Sequence, residues 1–230
     1  AGRAGRHQRD GTFGALHEEG PAAFTPEEVL AIEAHEVPPL ERMYWRTGKP
    51  DMASIDALIA SLEAPPTHPV LRAAPEAVDL AVLKRLAGED WVRARARGPR
   101  MVARLWAACG LPDFRKLGPD PHSRFVARIF RHLSEGDGRI PHDWFAQELG
   151  RLDNLAGDVE TIAGRIAAAR SWAYIAHRAD WLAEPLHWAE RTRAIEERLS
   201  DALHDRLRQR FVDQRTTVLL RQIGAGLDAL

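Results

Sequence analysis

The decisive stretch is Arg124-Phe125-Val126-Ala127-Arg128-Ile129-Phe130-Arg131-His132-Leu133. Phe125, Val126, Ile129, Phe130 and Leu133 fall on one face of a helix of 3.6 residues per turn, and Arg124, Arg128 and Arg131 fall on the opposite face. The spacing predicts a helix over about 121–134 that buries its apolar stripe and turns its guanidiniums outward. The same period recurs on both sides of it. Val159, Ile162, Ala163, Ile166, Ala169 and Ala173 mark a helix over about 156–178. Ile195, Leu199, Leu203, Leu207 and Phe211 stand four apart in a helix over about 186–213, roughly 40 Å long at 1.5 Å per residue. A strict four-residue stripe drifts around its helix, which suits a helix crossing a bundle better than a long coiled coil. Shorter helices are expected over about 76–87, 99–109 and 141–151.

Upstream of residue 76 the helical signals are shorter and are separated by proline. Thr25-Pro26-Glu27-Glu28 combines an N-cap, a proline at the first helical position and the glutamate of a capping box. Ser54 caps a segment carrying Ile55, Leu58, Ile59 and Leu62. Residues 37–53 and 64–75 read as irregular, proline-rich connectors. The best strand candidate is Gly11-Thr12-Phe13-Gly14-Ala15-Leu16, which a sheet partner outside this chain must stabilise, because a lone strand has unpaired edges. No repeat of 20–50 residues is visible, which disfavours a solenoid. The fold class is therefore mainly α, an irregular helical bundle.

Composition bounds the function. The 230 residues are 45% apolar and 28% charged, sufficient for a buried core. Neither an apolar run of about 18 residues nor a signal-peptide core is present, so a soluble cytoplasmic protein without membrane partners is expected. The single cysteine, Cys109, excludes a disulfide within the chain and a cysteine-clustered zinc site. Net charge is −1, yet the 32 basic residues include only three lysines, Lys49, Lys84 and Lys116. That bias is what a GC-rich genome writes, so arginine abundance alone does not mark a site.

The chain opens Ala1-Gly2-Arg3-Ala4-Gly5-Arg6, without an initiator methionine, and is expected to be part of a longer protein. Two arginines three apart, each preceded by glycine, suit a tight loop that lets guanidiniums reach across a cleft and grip phosphate oxygens bidentately. The run resembles the end of motif VI, Gln-x-x-Gly-Arg-x-Gly-Arg, of superfamily-two helicases. Residues 1–14 are similar to the corresponding stretch of DExH-box RNA helicases of the mitochondrial-degradosome type and their bacterial relatives. The helical remainder, including Leu199 to Asp213, is similar, more loosely, to the region that follows the core in the bacterial members.

This resemblance implies an ATP-dependent helicase acting on RNA, with DNA as an alternative substrate and a ribonuclease as a partner. Residues 1–20 would be the remnant of the second RecA-like domain, with its motif VI loop and last strand. Residues 21–75 would be a connector with two helices, and 76–230 a helical accessory domain flanking the nucleic-acid channel. Arg3 and Arg6 would face the γ-phosphate of ATP, with Gly2 and Gly5 shaping the loop. The chain has no Gly-x-x-x-x-Gly-Lys-Thr loop and no Asp-Glu-x-His motif. ATP and Mg therefore belong to the full-length parent, and this chain alone is expected to be inactive. A non-enzymatic helical scaffold or protein-docking module, with Gly2–Arg6 a coincidence, is the alternative.

Charge is uneven along the chain. Residues 84–131 hold 12 basic and 4 acidic side chains, a local +8. Arg93, Arg97, Arg100 and Arg104 recur at helical spacing near Trp91 and Trp106, although Gly98-Pro99 interrupts the line. Arg124, Arg128 and Arg131 form the second stripe. Arginines beside aromatics can hold phosphates and stack bases, so these residues are the candidate nucleic-acid contacts. Three other groupings are read as structural. The stretch 133–144 mimics an EF-hand loop but has Leu133 and Trp144 where calcium needs carboxylates. His177, Asp180, Glu184 and His187 are broken by Pro185. Trp172, Trp181 and Trp188, with Tyr174, are expected to be packing anchors, and Cys109 inert core.

Overall fold

A computed structural model describes residues 11–15, 23–36 and 42–227, without the side chains of 213–227. The chain divides into two compact units, residues 1–44 with 67–72 and residues 45–66 with 73–230.

In the first unit, α1 (Pro26–Glu33) starts at the expected capping box: Glu28 N donates to Thr25 Oγ1 at 3.2 Å, and Thr25 N donates to Glu28 Oε2 at 2.8 Å. Residues 11–15 form no strand, contrary to the expectation for Gly11–Leu16. No other strand pairs with them among the described residues, and unpaired backbone edges do not hold a strand together. Phe13 instead meets Phe24 edge-on, with ring centres 5.7 Å apart. A RecA-like remnant is thus not visible in the described part of residues 1–20. The strands that do form are short and fall within the expected connectors: β1 (Met43–Trp45) and β2 (Leu71–Ala73) make a two-stranded sheet. Met43 N donates to Val70 O at 2.9 Å, and Arg72 lies 3.9 Å from the centre of the Tyr44 ring.

The second unit is helical: α2 (Ile55–Glu63), α3 (Val78–Ala87), α4 (Asp90–Arg95), α5 (Pro99–Cys109), α6 (Pro119–Leu133), α7 (His142–Leu152), α8 (Val159–Ala176) and α9 (Pro185–Leu227). Local chemistry sets the starts. Ser54 Oγ accepts from Ala57 N at 3.0 Å and Asp158 Oδ1 from Thr161 N at 2.8 Å. Gly98 (φ 77°) and Gly118 (φ 82°) turn the chain where a side chain would be strained, and Pro99 and Pro119 then occupy the first helical positions. The short α4, between Gly88 and Gly98, was not anticipated, because its six residues are too few to display a period.

α3 packs against α2, α5 and α6, and α8 pairs with α9 along its length. Between them Leu58, Leu83, Leu105, Ile129, Phe130 and Leu149 are solvent-free. Phe145 joins the two halves of this core, meeting Trp172 and Trp188 edge-on at 5.2 and 4.9 Å. Trp172, Trp181 and Trp188 are buried as anticipated, whereas Tyr174 is 43% exposed. α9 is longer than its stripe predicted. Ile195 and Leu199 are buried, but Leu207 is exposed, so burial of the stripe weakens along the helix.

One ion pair fixes the start of α3. Arg46 Nη1 and Nη2 donate to Asp79 Oδ1 and Oδ2 at 2.8 Å each, Leu80 N donates to Oδ1 at 2.7 Å, and Arg46 lies 5.6 Å from the Trp106 ring centre. Partial burial alone would raise the Asp79 carboxyl, but the Arg46 fork and the Leu80 amide outweigh it and hold it below its ordinary value. A carboxyl depressed in the fold binds its proton more readily in the unfolded chain. Its contribution is complete above the ordinary carboxylate range, near pH 4, and is lost as pH falls through the lower folded value. Urea unfolding between pH 3 and 6 should therefore show stability falling with acid, with a shallower fall in Asp79→Asn. Parallel curves would remove Asp79 from the acid response.

Candidate nucleic-acid interface

The amphipathic character of α6 builds the candidate site. Val126, Ile129, Phe130 and Leu133 have no exposed surface, while Arg124, Arg128 and Arg131 on the far face are exposed. Burying one stripe leaves the helix no other place for its guanidiniums. A cleft lies along each flank of this ridge, and Arg124 and Arg128 border both. One cleft, of about 480 Å³, is closed by Arg85, Glu89, Trp91 and Arg131. The other, of about 400 Å³, runs between α6, α7 and α8 and includes Arg115, Glu148, Arg151 and Trp172.

Aromatic faces and one carboxylate hold the guanidiniums close together. The Arg131 guanidinium carbon sits 4.9 Å from the Trp91 ring centre, with Arg95 at 5.7 Å from the same ring, and Arg128 sits 5.2 Å from Trp144. Glu148 Oε1 accepts from both Arg128 Nη2 and Arg151 Nη1 at 2.6 Å, with the glutamate side chain only 11% exposed. Beside this pair, burial pushes the His132 imidazole down. Glu135 opposes that effect, and the neighbouring Arg128 and Arg131 add to it. Arg124 and Arg131 have no carboxylate partner among the described residues.

The structure separates the other expected stripe. Arg93 donates from Nε to Ala87 O at 2.6 Å and grips Asp56 at 3.0 and 3.1 Å, tying α4 to α2 and α3. Arg97 lies in the connection between α4 and α5, and Arg100 in the first turn of α5; both are exposed. Arg104 is partly buried and tied into the fold: its Nη1 donates to Leu133 O and Gly138 O at 2.9 Å each, across the turn between α6 and α7. That turn is the EF-hand mimic, and Asp137 Oδ1 merely accepts from Arg139 N at 3.0 Å. Among the described residues no group of three or more His, Cys, Asp or Glu could hold a metal. Cys109 is buried, and burial, then Asp79, raises its thiol far above physiological pH.

Arg3, Arg6, Gly2 and Gly5 lie outside the described residues. Arg85, Arg115 and Arg151 were not singled out from sequence, since each joins the clefts from a different element. Only the i, i+3 spacing of Glu148 and Arg151 hinted at one of them. Comparison with family models, curated proteins and solved structures finds no match. Among the described residues no helix is long and apolar enough to cross a membrane.

The Arg104 hydrogen bonds separate structural from surface arginines. Arg104→Gln withdraws a charged donor from two carbonyls and should destabilise the chain by about 1.5–3 kcal/mol, whereas Arg124→Gln should change stability by less than about 0.5 kcal/mol. Equal midpoints in urea would remove Arg104 from the framework.

Proposed function

We propose that this chain is the carboxy-terminal part of an ATP-dependent helicase of the DExH type, acting on RNA, in which the α6 ridge tracks the phosphates of a single strand. The carrying observation is the exposed row Arg124, Arg128 and Arg131 between two clefts, with Arg131 over Trp91 and Arg128 over Trp144. Arginine forks bind phosphate oxygens, and nearby aromatics offer surfaces to bases whatever their sequence. The helicase assignment itself rests on the resemblance of Gly2–Arg6 to motif VI. In that role Arg3 and Arg6 stabilise charge on the transferring γ-phosphate, while the parent's phosphate loop and acidic motif hold ATP and Mg.

Each half has its own test. In the full-length protein Arg6→Ala should lower ATP turnover by about 10³-fold, with RNA affinity within twofold of wild type. Undiminished turnover would take Arg6 out of the ATP site. For the ridge, Arg124→Glu with Arg131→Glu should weaken a fluorescent 12-nucleotide RNA at least tenfold. The same variant should flatten the dependence of log affinity on log salt by about 0.7 for each phosphate no longer neutralised. Unaltered affinity and slope would leave the scaffold reading in possession of this surface.

A further inference from the structure

We infer that the cleft between α6, α7 and α8 is a site for one nucleoside monophosphate, either free or as the phosphorylated end of a strand. This deepens the reading of α6 as a phosphate-binding ridge, because it assigns to one flank a ligand that the ridge alone would not select.

The cleft's volume is the first reason. About 400 Å³ lies in the range of small-molecule sites and far exceeds what a bare phosphate ion fills. Its charge is the second. Arg115, Arg124, Arg128 and Arg151 face Asp113 and Glu148 around the cleft, a formal balance of +2. A phosphomonoester carries about −1.5 to −2 at neutral pH, whereas a strand-internal phosphodiester carries about −1. The lining therefore matches a terminal phosphate better than an internal one.

The two carboxylates are already engaged. Asp113 Oδ2 accepts from Gly118 N at 3.0 Å, closing the turn before α6. Glu148 Oε1 takes one N–H from each of Arg128 and Arg151, which fixes both forks and leaves their remaining donors for a ligand. Arg115 has no carboxylate partner among the described residues.

Apolar side chains make up much of the remaining lining. Leu117, Phe125, Leu152, Ala168 and Trp172 contribute to it, together with Ser171. Trp172 is braced edge-on by Phe125, Trp144 and Phe145 at 5.4, 5.5 and 5.2 Å, so this part of the lining is formed in advance rather than gathered around the ligand. A dianion carrying a planar ring whose faces can pack on apolar side chains satisfies both parts of this lining. Inorganic phosphate would leave the apolar part bare, and a nucleoside would leave the guanidiniums unmatched.

The test is calorimetric titration of the whole chain with adenosine and uridine monophosphates, adenosine and inorganic phosphate, and with a 12-nucleotide RNA bearing or lacking a terminal phosphate. At least one nucleoside monophosphate should bind tenfold or more tightly than both adenosine and phosphate. A matching advantage for the phosphorylated RNA identifies a strand end as the source, and its absence identifies the free mononucleotide. Arg115→Glu and Leu117→Glu change exposed residues of the cleft and should each weaken the mononucleotide at least tenfold. Arg131→Glu, on the ridge but outside this cleft, should weaken RNA and spare the mononucleotide. Mononucleotides binding no better than phosphate, or binding both cleft variants like wild type, would overturn the site. If Arg131→Glu still weakened RNA, the ridge reading would survive that failure.

Discussion

The rotational setting of α6 is the constraint on which the site depends. Four side chains, Val126, Ile129, Phe130 and Leu133, are withdrawn from water on one face, against α3 and α5. At about 1.5–3 kcal/mol for each large apolar side chain, no rotation that relieved charge crowding on the other face could compensate for their exposure. Arg124, Arg128 and Arg131 are thus held together by the core beneath them. Their mutual repulsion is met by neighbours: the Trp91 and Trp144 rings, and Glu148 from α7.

Placing Glu148 requires that α7 leave α6 in a fixed direction, and Arg104 governs that step. Its guanidinium holds the last carbonyl of α6 and the carbonyl of Gly138 in the turn beyond. Gly138 has φ 75°, a conformation that favours glycine, and a Cβ there would displace the Arg104 guanidinium from its two carbonyls. Two residues later Ile140 N donates to Trp181 O at 2.8 Å, attaching the turn to the segment before α9. A side chain that looks like a phosphate ligand in sequence is therefore what positions α7, and with it Glu148 and Arg151.

Much of the bundle was legible because amphipathic periods are long there. α5 falls where expected, and α6, α7 and α8 begin and end within three residues of their expected bounds. The signal failed where tertiary contacts decide. Met43–Trp45 and Leu71–Ala73 are three-residue strands that pair with each other, and Gly11–Ala15, strand-like in composition, has no strand partner among the described residues. At the site, the α6 stripe was readable because one helix carries it. Arg85, Arg115 and Arg151 were not, since only folding brings α3, the α5–α6 connection and α7 to the same flanks. Arg93 and Arg104 were misleading for the converse reason: their acceptors, Asp56 and the Leu133 and Gly138 carbonyls, are remote in sequence.

Folding also redistributes the +8 of residues 84–131. Among the described residues, Lys84 pairs with Glu63 and Glu76, Arg85 with Asp120, Arg93 with Asp56, Arg95 with Glu135 and Arg128 with Glu148. Of these acidic partners only Asp120 belongs to the basic segment itself. The unpaired excess is therefore carried by residues with no carboxylate partner among the described residues, Arg115, Arg124 and Arg131 foremost among those at the clefts. Exposed pairs are worth only about 0–1 kcal/mol and exchange readily for phosphate. Arg128 is different, because its partner is largely buried and is shared with Arg151. Withdrawing it would leave Glu148 with one donor fewer in a site where an unmatched carboxylate is costly. On the reading proposed for α6, a strand would draw its affinity from Arg124 and Arg131, while Arg128 serves chiefly to keep the ridge and the neighbouring cleft in one fixed arrangement.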